Sequence, residues 1–103
     1  MADNFTPGET VSLTAGTTSA SASFTLAQSA NYPDCMITNT GSNIAFVGFG
    51  GAPATLPGAG ATNAVPIMPG ETYVLRKGVG VTEVNAITQT STTTLYLTAG
   101  EGQ

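Results

Sequence analysis

Ala20-Ser21-Ala22-Ser23-Phe24-Thr25-Leu26 alternates without a break: Ala22, Phe24 and Leu26 fall on one side, Ser21, Ser23 and Thr25 on the other. A two-residue period is that of a strand with one packed face and one wet face. The same signal recurs about every ten residues in both directions. Upstream, Thr10 to Thr14 sets Val11 and Leu13 against Ser12. Downstream, Cys35 to Asn39 carries Cys35 and Ile37 on one face, and Thr40-Gly41-Ser42 follows as a turn. Asn43 to Phe49 alternates Ile44 and Phe46 with Ala45, Val47 and Phe49, so both of its faces are apolar. Such a strand is either central in the fold or set against a partner.

Strands continue in the second half. Val65 to Met68 contains Pro66, which fits an edge strand. Pro69-Gly70 suits the middle of a type II turn. Glu71 to Arg76 places Tyr73 and Leu75 opposite Val74, and Gly78-Val79-Gly80 turns the chain. Thr82 to Thr88 opposes Val84 and Ala86 to Glu83, Asn85 and Ile87. Thr92 to Thr98 opposes Leu95 and Leu97 to Thr94, Tyr96 and Thr98. Eight strands with no helical period predict an all-β fold, an antiparallel sandwich of about eight strands in one domain over residues 10–103. Residues 1–9 read as a flexible polar arm, with neither a basic residue nor an apolar run, so no secretory leader is expected there. Gly50 to Ala64 is too rich in Gly and Pro for a strand or helix and reads as a long loop. Ordered loops of that length tend to be functional.

Composition narrows the function. Charged residues are 8% of the 103-residue chain, histidine and tryptophan are absent, and Arg76 and Lys77 are the only cations. Two cations cannot cover a nucleic-acid backbone, and without histidine the commonest general base and metal ligand are missing. No apolar run reaches 18 residues, so no helix is expected to span a membrane. Gly48-Phe49-Gly50-Gly51 and Gly78-Val79-Gly80 lack the spacing and following helix of a phosphate loop. The six carboxylates, Asp3, Glu9, Asp34, Glu71, Glu83 and Glu101, show no pairing that suggests acid–base work or a calcium loop. Cys35 is single, with no histidine to activate it, and reads as a buried strand residue. Arg76-Lys77 reads as solvated charge at a loop mouth. Neither a catalytic residue nor a cofactor is expected. Ser and Thr supply 25 residues, Ala 14 and Gly 13, with a net charge of −4. A surface so weakly charged repels its own kind poorly, which favours a homo-oligomer.

Three stretches carry a resemblance. They are Met36-Ile37-Thr38-Asn39-Thr40-Gly41-Ser42-Asn43-Ile44-Ala45-Phe46-Val47, Met68-Pro69-Gly70-Glu71-Thr72-Tyr73-Val74-Leu75 with Gly80 to Ile87, and Thr94-Leu95-Tyr96-Leu97-Thr98-Ala99-Gly100-Glu101-Gly102. Together they resemble the small capsid decoration, or cement, proteins of tailed bacteriophages, over Cys35 to Gly102. The resemblance rests on turn and strand patterns and carries no catalytic residue. It implies a β-sandwich, often a jelly roll, that binds the outside of an assembled head. The expected partner is then the major capsid protein, with no nucleic acid and no membrane, and the location is the virion exterior after synthesis in the host cytoplasm. Expected contacts are Phe5, Thr6 and Pro7 in the arm, Leu56 and Pro57 in the loop, and Phe49 at the end of the two-sided strand. The alternative is a receptor- or carbohydrate-binding β-domain of a phage tail or fibre. Sugar sites usually present exposed aromatics, here limited among the larger polar rings to Tyr32, Tyr73 and Tyr96.

Overall fold

A computed structural model describes residues 6–50, 53–56 and 64–101. Among these, the chain forms eight strands: β1 (Thr6–Ala15), β2 (Ala20–Ser23), β3 (Asp34–Asn39), β4 (Ala45–Phe49), β5 (Val65–Ile67), β6 (Thr72–Arg76), β7 (Glu83–Thr88) and β8 (Thr93–Glu101). A single 3₁₀ turn over Ala27–Asn31 joins β2 to β3. The strands make two antiparallel four-stranded sheets, in the orders β1-β8-β3-β6 and β2-β7-β4-β5. The all-β sandwich expected from alternation is the fold observed.

Pairing follows a simple rule. β4 pairs with β5, β3 with β6, β2 with β7 and β1 with β8. The chain is therefore one long hairpin, with the β4–β5 connection at its tip, rolled so that successive pairs fall alternately in the two sheets.

The core lies between the sheets. Leu13 and Ala15 of β1, Cys35 and Ile37 of β3, and Leu95, Leu97 and Ala99 of β8 face Ala45 and Val47 of β4, Ile67 of β5, and Val84 and Ala86 of β7. Half-buried Val11, Tyr32, Tyr73 and Leu75 pack against that cluster. Fully burying one such aliphatic side chain is worth roughly 1.5–3 kcal/mol. β4 is interior to its sheet, between β7 and β5: Ala45, Val47 and Phe49 face the core, and Phe46 lies half-buried in the outward row with Ile87 and Pro66. Pro66 sits on the edge strand β5, where its missing N–H disturbs no ladder. At Pro69-Gly70 the Gly70 φ is +78° and the Glu71 N–H donates to the Met68 carbonyl at 3.1 Å, the geometry of a type II turn.

Two boundaries differ from expectation. Residues 6–9, assigned to a flexible arm, open β1: Thr6 pairs with Glu101 and Pro7 with Gly100, and a bulge follows before Thr10 pairs with Thr98. Alternation does not reveal them, because Pro7 and Gly8 interrupt it. β2 ends at Ser23, earlier than Leu26. Phe24 still points into the core at 5% exposure, and its N–H donates to the Thr82 carbonyl. Thr25 and Leu26 leave the sheet to meet Glu9.

Candidate binding surface

The two outer faces of the sandwich are unlike. On β7, Asn85 belongs by register to the outward row with Ser21 and Gly48, yet it is only 3% exposed. Its side-chain amide donates to the Gly50 carbonyl, and the Gly50 N–H donates to the Glu83 carbonyl at 2.9 Å. Farther along the same loop, Ala54 is buried outside the central core, and its N–H donates to Ser19 Oγ at 2.9 Å. The chain leaving β4 is thus held at Gly50 by β7 and at Ala54 by Ser19 of the β1–β2 connection.

The outer face of β1-β8-β3-β6 carries no such cover over Tyr96. Its rows read Ser12, Tyr96, Thr38 and Thr72, then Thr10, Thr98, Met36 and Val74. Thr14 and Thr94 pair beyond them. Tyr96 is 47% exposed at the centre of these hydroxyls. Thr10 and Thr98 share a hydroxyl–hydroxyl bond of 2.8 Å, and Thr38 and Thr72 one of 3.0 Å. Among the described residues of these rows, acidic and basic side chains enter at the far row, where Asp34 and Arg76 are cross-strand partners.

One end of the sandwich holds the clasped carboxylate Glu9 and the buried Ser29, Asp34 and Lys77. The Glu9 carboxylate accepts from the Thr25 N–H (2.8 and 2.9 Å), the Leu26 N–H (2.8 Å), the Thr25 hydroxyl (2.8 Å) and the fully buried Ser29 hydroxyl (2.8 Å). Those backbone donors, above all, hold its pKa down to about 2. Lys77 is 4% exposed, and its ammonium donates to the Val81 carbonyl at 2.6 Å. The solvated loop-mouth lysine expected from the sequence is instead buried. Its N–H donates to the Pro33 carbonyl at 2.7 Å, which draws the stem into the β3–β6 end. Burial lowers the Lys77 pKa, with Cys35 and Asp34 opposing the shift. Burial likewise pushes the Cys35 thiol up to about 12, so it stays protonated and packs as a small apolar group.

At the opposite end the carboxamide of fully buried Asn39 binds four groups. It donates to the carbonyls of Asn43 (2.8 Å) and Ile67 (2.9 Å) and accepts from the Gly41 N–H (3.0 Å) and the Thr93 hydroxyl (2.7 Å). A shallow hollow lies nearby, lined by Ser42, Asn43, Ile44, Gln89 and Thr90. Among the described residues, no group of three or more Cys, Asp or Glu side chains is placed to hold a metal ion.

The expected contact residues scatter. Thr6 and Pro7 are exposed at the start of β1, and Leu56 is half-buried in the loop. Phe49 is half-buried: it shares the inward row of Ala45 and Val47, packs against the core and keeps part of its surface in reach of solvent. Phe5 and Pro57 lie outside the described residues. Sequence reasoning gave no special place to Glu9, Asn39 or Asn85, whose partners come from distant turns. No family model, curated protein or solved structure matches this chain.

Proposed function

We propose that this chain is a structural virion protein that decorates and stabilises a phage capsid by bridging its subunits, acting as a homo-oligomer on the capsid exterior. Support comes first from the anchored β4–β5 loop. Ala54 is fixed on Ser19 and Gly50 on Glu83 and Asn85 before either meets a partner, and such preorganisation lowers the entropic cost of binding. The nested strand pairs, read as a jelly roll, supply a rigid frame behind it. With two cations and a net charge of −4, affinity must come from buried area rather than charge. Leu56 in the loop, half-buried Phe49 at the end of β4, and Thr6 and Pro7 on β1 are the proposed contacts within the described residues, with Phe5 and Pro57 flanking them in sequence.

Co-sedimentation tests this reading. Purified protein should bind phage heads and not tails, and occupancy should change little between low and high salt. Leu56→Ser should weaken attachment while leaving the melting temperature nearly unchanged. Binding to tails alone would favour the second reading, a receptor- or carbohydrate-binding domain of a tail or fibre.

A further inference from the structure

We infer that the outer face of β1-β8-β3-β6 is a platform for a neutral oligosaccharide, centred on Tyr96. This inference stands whether heads or tails carry the protein.

A pyranose ring offers an apolar C–H face and a rim of hydroxyls that both donate and accept. Its complement is an exposed aromatic ring surrounded by uncharged hydrogen-bonding groups. Tyr96 supplies the ring at 47% exposure. Ser12 and Thr38 flank it across the strands, and Thr94 and Thr98 lie two residues away along β8. In the Thr10–Thr98 and Thr38–Thr72 pairs one proton bridges the two oxygens. Each pair therefore keeps one free O–H donor and spare lone pairs at the surface. The backbone ladder fixes these hydroxyls, so little order is lost when a sugar binds.

Size and charge choose among occupants. Four strands about 4.8 Å apart and five residues of about 3.3 Å each make a face of roughly 19 by 17 Å. A stable protein–protein contact buries about 800 Å² of accessible surface per partner, so it would have to reach beyond this patch of hydroxyls along β1 and β8. A short oligosaccharide fits within it. An anionic ligand would find a single cation, Arg76, in the far row, on a chain of net charge −4. The opposite sheet differs: its outward Asn85 is already bonded to Gly50, and the row of Pro66, half-buried Phe46 and Ile87 carries no hydroxyl.

The test is titration of the full chain with cellotetraose, maltotetraose, mannotetraose and, as the charged control, a heparin tetrasaccharide. Backbone amide shifts locate binding, and emission from tyrosine follows it, since tryptophan is absent. At least one neutral sugar should bind at millimolar concentration and shift amides of β1, β8 and β3 around Tyr96. Tyr96→Ala should weaken that binding about tenfold or more, Tyr96→Phe much less, and Ser12→Glu should block it while leaving melting intact. The proposal is overturned if no neutral sugar binds, if the heparin fragment binds more tightly, if the shifted amides lie elsewhere, or if Ser12→Glu and Tyr96→Ala both bind as the parent does.

Discussion

At one end of β8, Leu95 pairs with Asn39, whose neutral carboxamide ties together the β3–β4 turn, β5 and the start of β8. At the other end, Gly100 and Glu101 pair with the start of β1, and the Glu9 carboxylate ties that strand to Thr25, Leu26 and Ser29. Both ends solve one problem: backbone groups that leave the ladder need partners. Asn39 is fully buried and uncharged, so its bonds form in a dry setting and do not titrate. Glu9 is half-buried and ionised, so its bonds depend on pH and remain within reach of solvent. The stability of the neutral end should therefore persist in acid, whereas that of the charged end should fade.

Breaking the neutral end should have the largest effect. Asn39→Leu keeps the branched shape, adds volume, and leaves the Thr93 hydroxyl, the Gly41 N–H and two carbonyls without their partner. The expected loss is about 4 kcal/mol in urea unfolding, given roughly 1–3 kcal/mol for each group left unsatisfied and partial relaxation. Gly41→Ala comes next. A Cβ there would run into the Thr93 side chain and sit 2.9 Å from the Thr93 Cα, so the turn must shift, at about 2 kcal/mol. Neither variant should change how stability depends on pH.

Glu9→Gln sharpens the contrast. The folded pKa of about 2 lies below the ordinary 4.5, so the folded state favours the ionised form. The stability gained is fully present above about pH 4.5 and is lost as pH falls toward 2. Chemical unfolding of the parent at a series of pH values should show that decline, and Glu9→Gln should flatten part of it. At neutral pH the variant should melt below the parent but above Asn39→Leu. Thr10→Val should have the smallest effect, within about 0.5 kcal/mol, because the Thr10–Thr98 bond is exposed.

Periodicity in the sequence was enough to recover the strands. Alternation along Thr92 to Thr98 put Leu95 and Leu97 inward and Tyr96 outward, as found, because each side chain's face is fixed by its own strand. The seat of buried Ala54 on Ser19 was not legible, since that contact spans 35 positions. Asn39 looked like an ordinary strand end, because its partners Ile67 and Thr93 lie 28 and 54 positions away. Glu9 looked like arm, because the N–H groups that clasp it belong to a bend 16 and 17 positions later. Lys77 looked solvated, because nothing local announces that Pro33 will capture its backbone. The face carrying Tyr96 could be assigned strand by strand, but its hydroxyl pairs needed the register between strands.

The rolled hairpin also fixes an order of events in time. The β4–β5 pair joins neighbouring segments, whereas Thr10 and Thr98 meet across 88 positions. Closing long loops before any contact rewards them slows folding, so folding of this chain should be slow for its size. The tip can zip first, and the β1–β8 seam, which closes the widest loop, should come last. Buried Leu13 pairs with Leu95 across that seam, so Leu13→Ala should speed unfolding and leave the refolding rate nearly untouched.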